Sequence, residues 1–237
     1  MKQFQLAGIC FVVFLLRITT ATAQNSRLNK YGLKVISTTE EFKNSIAENP
    51  SKAMADLKKQ IKGLVVDLRY AGANNFMNQR LYPSEARAWL RKAAADSLAL
   101  VQKELKEKGW GIKIFDAYRP WSITDLMWQK VKDDRYAADP RKGSNHNRGV
   151  AVDLTIVDLK TGKELVMGTG FDNFSDTAHH VFRQLSSEVL FHRTTLKTIM
   201  EKHGFKALYT EWWHYSLVGA GEYELLDIGF GELKRIK

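Results

Sequence analysis

An aspartate stands inside an apolar run of the sequence, and the fold has to accommodate it. Residues 149–157 read Gly-Val-Ala-Val-Asp-Leu-Thr-Ile-Val, which predicts a buried β-strand. Side chains alternate along a strand, so Val150 and Val152 share one face while Ala151 and Asp153 share the other. A carboxylate in such surroundings is costly unless its charge is paired or bound to a metal ion. The fold must therefore bring a cationic partner or a metal to Asp153.

A histidine precedes this strand at a spacing that suits a shared metal. His146 lies in a predicted loop over 139–148, and Gly149 permits a sharp turn from that loop into the strand. A catalytic zinc ion takes about three nitrogen or oxygen ligands and keeps one position open. The segment therefore offers His146 and Asp153 as candidate ligands. Taken alone, it is equally compatible with a core histidine and a salt-bridged aspartate.

A second acid and imidazole pair lies near the end of the chain, in Glu211-Trp212-Trp213-His214. In a regular strand Glu211 and His214 would face opposite sides. Both can approach one metal ion only if Glu211 lies at an irregular strand entrance just after Thr210. His214 could then bind the metal while Glu211 activates a water molecule. The alternative is an aromatic edge strand with Glu211 exposed and His214 packed between tryptophans.

The remaining histidines are weaker ligand candidates. His192 and His203 lie on one predicted helix, roughly 16 Å apart along its axis, so they cannot share a metal ion. His179 and His180 form a pair in a loop, but adjacent side chains rarely converge on one ion. The predicted metal site therefore lies at the two acid–histidine pairs.

An arginine follows another predicted buried strand, over 112–117. Arg119 precedes Pro120, which disfavours helix at Arg119. Its guanidinium is permanently charged and suits an oxyanion or a substrate carboxylate. The alternative is a structural arginine that braces a loop carboxylate.

The first residues of the chain indicate export. A short positive start is followed by an apolar run over 6–16 that is too short to span a bilayer, and then by the small residues of Ala21-Thr22-Ala23. We predict a signal peptide over 1–23 and one mature domain over 24–237, secreted to the periplasm without stable membrane insertion. A retained anchor is the alternative, because Arg17 follows the apolar run.

Signal cleavage would also remove Cys10, the only cysteine. The mature chain then has no disulfide and no thiolate, so a metal site must use His, Asp and Glu, and a cysteine protease is excluded. The formal net charge is +10, but Lys and Arg are dispersed among acidic residues, as in 103–108. We therefore predict no nucleic-acid binding and expect the charge to favour an anionic cell envelope.

The other segments predict a mixed fold. Helices are expected after Thr38 and Ser122 and over 52–61, 84–109 and 187–203; strands are expected over 64–70, 112–117, 149–157 and 205–218. Helices and strands do not alternate as βαβ units. The predicted fold is therefore a single α+β domain with a small, largely antiparallel sheet flanked by helices.

A set of short segments runs in order through most of the mature chain. They are Asp67-Leu68-Arg69-Tyr70 with Asn75-Phe76, Asp116-Ala117-Tyr118-Arg119-Pro120, Ser144-x-His146-x-x-Gly149-x-Ala151-x-Asp153-Leu154-Thr155, Met167-Gly168-Thr169-x-Phe171-Asp172, and Gly204-Phe205 before Glu211-Trp212-Trp213-His214. Together they resemble the zinc D-alanyl-D-alanine dipeptidases, the family of the vancomycin-resistance dipeptidase. The His/Gly/Asp and Glu/His segments are shared with D,D-carboxypeptidases and the Hedgehog signalling domain. The Met-Gly-Thr-x-Phe-Asp segment and the Trp-Trp pair indicate the dipeptidase branch.

The resemblance implies a role for each residue of the chemistry. His146, Asp153 and His214 would be the ligands of one Zn²⁺ ion per chain. Glu211 would be the general base, and Arg119 would stabilise the oxyanion. The implied activity is hydrolysis of the D-Ala-D-Ala dipeptide of cell-wall peptidoglycan metabolism.

The resemblance also implies how the substrate is selected. Asp172 and Ser144 match positions that receive the free ammonium group of the dipeptide. A carboxylate there favours a free amino terminus over the uncharged amide of a longer peptide. The chain departs from the family's best-known member in its export signal and in a shorter connection between Arg119 and His146, which bears on the size of the cleft.

Two other functions fit the same residues. One is a murein D,D-carboxypeptidase, favoured if Asp172 does not close the cleft. The other is a non-catalytic binding module that zinc merely stabilises, and the presence of Glu211 and Arg119 argues against it because a structural zinc needs neither.

Overall fold

The central sheet of the protein has five strands and is largely antiparallel. The computed structural model describes residues 28–134 and 136–236, and the predicted signal peptide over 1–23 lies outside them. The strands are β1 (Val35–Ile36), β2 (Met54–Asp56), β3 (Val65–Val66), β4 (Trp89–Arg91), β5 (Trp110–Asp116), β6 (Ala151–Asp158), β7 (Phe205–Ala207), β8 (His214–Leu217) and β9 (Leu225–Leu226). The central sheet has the order β3-β5-β6-β8-β7, in which only β3 and β5 are parallel. The predicted α+β class is confirmed.

Helices of very different length connect the strands. They are α1 (Thr39–Glu48), α2 (Leu57–Gln60), α3 (Lys92–Lys106), α4 (Trp121–Val131), α5 (Ser187–Lys202) and α6 (Phe230–Leu233). α1 begins where the sequence predicts, because the Thr38 hydroxyl accepts the amide of Glu41 at 3.2 Å. None of the helices in the described part of the chain has the length and hydropathy needed to span a bilayer.

β6 has one apolar face and one face that carries polar side chains. Val150, Val152, Leu154 and Ile156 are completely buried and belong to one hydrophobic cluster with residues of α3 and α5. Because side chains alternate, Asp153 and the other odd-numbered residues point to the opposite face of the sheet. Asp153 and Thr155 are buried as well, so both faces of the strand are covered. The loops over the second face must supply the partners of its polar side chains.

The predicted helix over 52–61 is wrong in its first half, and the predicted helix over 84–109 is wrong over residues 84–91. Met54–Asp56 and Trp89–Arg91 form an antiparallel pair, β2 and β4, in which Ala55 lies opposite Leu90. α3 consequently begins at Lys92, not near residue 84. Tertiary pairing overrides the local helix propensity of both segments, since each supplies the hydrogen-bonding partner of the other.

The predicted strand over 64–70 is also shorter than expected. Only Val65–Val66 pairs with β5, and a 3₁₀ turn at Arg69–Ala71 follows. Tyr70 is buried as a result, and its hydroxyl reaches the loop that carries Asp172. The turn after this strand thus places Tyr70 beside Asp172.

Candidate active site

Three of the predicted site residues meet on neighbouring strands and the loop before them. Asp153 of β6 and His214 of β8 are directly opposite each other in the antiparallel ladder. His146 reaches the same point from the preceding loop. The Asp153 carboxylate lies 2.9 Å from His214 Nδ1 and 3.4 Å from His146 Nε2, and the two imidazole nitrogens are 3.2 Å apart.

These distances suit a metal ion of the zinc type. Three donors at about 2.1 Å from a tetrahedral ion are roughly 3.4 Å from one another, close to the spacing of this group. The His146 Nδ1–H donates to the carbonyl of Ala117 at 2.7 Å, which leaves Nε2 available as a ligand. All three side chains are largely buried. The donor set and its support therefore fit a bound metal ion.

The electrostatics of the group are those of a buried charge cluster. Burial alone would raise the pKa of Asp153, but the adjacent imidazoles of His146 and His214 hold it well below its usual range. Burial would lower the pKa of His146, but the neighbouring carboxylates of Asp153 and Asp116 act in the opposite direction, and the pKa of His146 is raised. The carboxylate therefore stays ionised and available to a cation.

The loop before β6 is held by a residue to which the sequence assigned no role. Asn147 is completely buried; its Nδ2 donates to the Arg119 carbonyl at 3.0 Å and to Thr124 Oγ1 at 2.8 Å. Its Oδ1 accepts the Ser144 amide at 2.8 Å. The only hint in the sequence is its place inside the His/Gly/Asp segment. Gly149 ends the loop at φ +70°, where an added Cβ would lie 3.0 Å from Met54 Cε.

Glu211 lies beside the metal group of His146, Asp153 and His214. It stands outside any regular strand, which is the condition under which Glu211 and His214 can both approach one ion. β8 begins only at His214, and the Glu211 carboxylate is 3.9 Å from His214 Nδ1. Burial raises the pKa of Glu211 to about 7; the charge of His214 opposes this shift, and the charges of Asp153 and Asp172 add to it. A carboxylate with a pKa near neutrality can accept and return a proton.

Arg119 lines the same cleft. One edge of its guanidinium is fixed by Asp116, and the group remains in contact with the cleft. Its Nε and Nη2 donate to Asp116 Oδ2 at 3.0 and 2.7 Å, and its guanidinium lies 5.0 Å from the centre of the Tyr70 ring. Asp116 is itself fixed by the Tyr82 hydroxyl at 2.7 Å. The bracing that the sequence offered as an alternative is present, and it orients the guanidinium towards the cleft.

Asp172 occupies the cleft from a strained backbone position. Its φ of +59° is unusual for a residue with a side chain. Its carboxylate accepts hydrogen bonds from the Tyr70 hydroxyl at 3.2 Å and from the Phe76 amide at 3.2 Å. Burial nevertheless raises the pKa of Asp172 to about 7. Ser144 also lines the cleft, with its hydroxyl accepting the amide of His146.

The cleft gathers the whole set of predicted site residues. It is a cavity of about 240 Å³, and its lining includes Arg119, Ser144, His146, Asp153, Asp172, Glu211 and His214. The other histidines lie elsewhere: His192 Nδ1 donates to the carbonyl of Val166, and His203 pairs with Glu104. Three side chains that could hold a metal ion, a carboxylate with a pKa near neutrality and an oriented guanidinium thus line one cleft.

Comparison with known proteins identifies the family. The family model described as D-ala-D-ala dipeptidase (Peptidase_M15) matches residues 50–230 of the chain. The chain belongs to this family. It is therefore a metallopeptidase, and the resemblance seen in the sequence is confirmed.

Curated relatives match most of the chain. The D-alanyl-D-alanine dipeptidase of Escherichia coli K12 is 36% identical over 173 residues, which cover 73% of this chain and 89% of the relative. The enzyme of the same name from Enterococcus faecalis V583 is 30% identical, covering 68% of this chain and 90% of the relative. Among solved structures, the D,D-dipeptidase VanXYg with a D-Ala-D-Ala phosphinate analogue is similar only at a TM-score of 0.34 and 16% identity, over 76% of this chain and 66% of that one. Membership of the metallopeptidase family rests on the sequence matches.

Proposed function

We propose that this protein hydrolyses the dipeptide D-Ala-D-Ala to two molecules of D-alanine, with one Zn²⁺ ion per chain held by His146, Asp153 and His214. The observation that carries the proposal is the triad of donors 2.9 to 3.4 Å apart with the Glu211 carboxylate beside it. The names of the curated relatives support the choice of substrate.

The chain's own groups divide the chemistry between them. When bound, the zinc ion polarises the scissile carbonyl and makes its water more acidic. Glu211 takes a proton from the attacking water and passes it to the leaving amine. Arg119, held by Asp116, donates to the oxygen on which negative charge develops, an interaction whose loss typically costs about 2.7–4 kcal/mol in the barrier.

The substrate's free amino terminus is recognised at the other side of the cleft. Asp172 accepts the ammonium group, and the Ser144 hydroxyl supports it. The Tyr70 hydroxyl and the Phe76 amide hold the Asp172 carboxylate in place for this contact. A longer peptide would place an uncharged amide against this carboxylate, so the cleft favours the free dipeptide.

The test is release of D-alanine from D-Ala-D-Ala by the zinc-loaded mature chain. Glu211→Gln keeps the shape of the side chain and should reduce kcat by about 10²–10⁴. Zinc content, measured by atomic emission, should stay at one ion per chain in both proteins. A wild type with no turnover, or a variant as active as wild type, would contradict the proposal.

Two outcomes would select the alternative functions. Cleavage of pentapeptide stems faster than the free dipeptide would identify a D,D-carboxypeptidase. Tight zinc binding without hydrolysis of either substrate would identify a non-catalytic zinc-stabilised module.

The proposed site of action is the periplasm, after removal of the signal peptide over 1–23. The proposal rests on the apolar run and small-residue cleavage site in the sequence. N-terminal sequencing of the exported protein should begin near Gln24. A retained N-terminus in a membrane fraction would indicate an anchor.

A further inference from the structure

A second cavity lies next to the catalytic cleft and takes no part in the proposed reaction. This rear cavity measures about 210 Å³ and is lined by residues that include Arg69, Thr155, Glu164 and Phe171. Thr155 is two residues beyond Asp153 on the same face of β6, about 7 Å along the strand. The lining residues of the two cavities do not overlap.

One aromatic side chain separates the two volumes. The Phe171 ring lies 5.1 Å from Phe115, with which it lines the rear cavity. On its other side it lies 5.9 Å from Tyr70 and 5.7 Å from Trp213, which both line the cleft. The rear cavity is therefore built against the segment that carries Asp172, but His146, Asp153 and His214 do not line it.

The rear cavity contains hydrogen-bonding groups that lack protein partners. Thr155 is completely buried, and its hydroxyl has no partner among the described residues. Such a group is costly to leave unsatisfied. The Thr169 hydroxyl accepts from Trp212 Nε1 at 2.8 Å, which leaves its own O–H free to donate into the cavity. The interior thus offers two hydroxyl donors to an occupant.

Opposite charges border the same volume. Arg69 Nη2 and Glu164 Oε1 both belong to lining residues and lie 3.5 Å apart, beyond a normal hydrogen bond. Arg69 Nε has no hydrogen-bond partner among the described residues, although Asp67 Oδ2 is 3.1 Å away. The guanidinium is stacked on the Phe115 ring at 4.5 Å. Glu164 Oε1 also accepts a hydrogen bond from Lys113 Nζ at 2.9 Å, but Lys113 does not line the cavity. Arg69 therefore faces an occupant with donors to spare, and Glu164 faces it with its second carboxylate oxygen, to which no hydrogen bond is found among the described residues.

This pattern selects a small molecule that carries both charges. A ligand with only a carboxylate would meet Glu164, and a ligand with only an ammonium group would meet Arg69. A zwitterion satisfies both, because its carboxylate suits the planar guanidinium and its ammonium group suits the acid. The volume is below the roughly 300 Å³ of pockets for drug-sized ligands. Met167 and Phe171 leave apolar surface for a small side chain.

We propose that the rear cavity binds a small zwitterionic α-amino acid, with its carboxylate on Arg69 and Thr155 and its ammonium group on Glu164. D-alanine, the product of the proposed reaction, belongs to this class and serves as the probe. The proposal does not depend on that reaction, because binding is measured without turnover.

The experiment is a titration of the zinc-loaded mature chain with D-alanine, followed by methyl NMR. The methyl group of Met167 reports on the rear cavity and those of Leu208 report on the cleft. D-alanine should shift the Met167 signal saturably, whereas D-lactate and isopropylamine, which each lack one charge, should not at the same concentration. Thr155→Val should weaken this binding about tenfold, since it removes one hydrogen bond without changing shape.

Variants separate direct binding from a signal transmitted through Phe171. Glu164→Gln should weaken the Met167 response at least tenfold and leave the Leu208 titration unchanged, while the exposed control Glu107→Gln should alter neither. Thr155→Val should unfold at no lower temperature than wild type, because the lost hydroxyl has no partner. A Met167 signal that fails to shift, or that follows the Leu208 affinity in every variant, would show that the cavity holds solvent only. Loss of dipeptide hydrolysis would leave these titrations intact, so the two proposals fail separately.

Discussion

Two buried arginines contact the loop that carries His146, and they are used in opposite ways. Arg91 is completely buried, and it donates to the backbone carbonyls of Arg148, Lys52 and Glu224. Its donors end on protein atoms that have no other role in the site. Arg91 therefore acts as a clamp between three segments of the chain.

Arg119 instead has a braced edge and an open edge. Nε and Nη2 are taken by Asp116, and no hydrogen bond from Nη1 is found to the residues that the structure describes. The guanidinium lines the cleft beside the Tyr70 ring. Burial alone therefore does not distinguish a structural arginine from a functional one; the acceptors of its donors do.

The first prediction concerns the clamp. Arg91→Met should lower the free energy of unfolding by about 3–5 kcal/mol, because it leaves three backbone carbonyls without their donor and removes one of the two cations beside Glu224, which keeps its ion pair with Lys52. Urea denaturation of the zinc-free protein measures the change. The matched control Lys92→Met breaks only an exposed pair with Asp96 and should cost less than about 0.5 kcal/mol. Equal effects of the two substitutions would refute the description of Arg91 as a clamp.

The second prediction concerns the open edge. Arg119→Lys keeps a positive charge near Asp116 but loses the planar fork, so kcat for D-Ala-D-Ala should fall about 10²–10³-fold, matching about 2.7–4 kcal/mol. The free energy of unfolding should change by less than that of Arg91→Met. Steady-state kinetics and urea denaturation of the same preparation compare the two arginines directly. A variant with full kcat and reduced stability would make Arg119 a second clamp.

The third and smallest effect is the response to pH. Glu211 must be ionised to take a proton, and its pKa is raised to about 7, so kcat/KM should fall about tenfold per pH unit below 7. Burial lowers the pKa of Arg91 only to about 10, so the clamp stays charged throughout this range. A pH–rate profile that stays level down to pH 5 would contradict the assigned role of Glu211.

The parts of the fold that the sequence predicted well are those with their own local signal. β6 and α5 appear within two residues of the expected bounds, and α1 begins directly after its expected cap, Thr38. The sequence did not predict the pair of β2 and β4, because each strand is only three residues long and its partner lies about 35 residues away along the chain. Short strands gain their stability from the partner, so the local start signal of Ser84 after Pro83 predicts helix over residues 84–91, where the fold has a strand.

The residues of the site also divide into those with a local signal in the sequence and those whose contacts arise only on folding. Asp153 could be singled out because a carboxylate in an apolar strand needs a partner, and Glu211 because alternation forbids a regular strand there. The roles given to these residues remain predictions that the proposed experiments test. Asn147 and Asp116 could not be found this way, since their importance lies in contacts with backbone and side chains brought together by folding. The rear cavity is invisible in sequence for the same reason.

The pairing of β6 with β8 has a consequence for protein engineering. Asp153 and His214 are opposite each other in the ladder, so their separation is set by backbone register and not by the intervening chain. The segment between them carries Asp172 and α5. Exchanging residues 160–208 for the corresponding stretch of a relative should therefore leave Asp153 and His214 in position, and it tests whether the segment that carries Asp172 sets the choice of substrate.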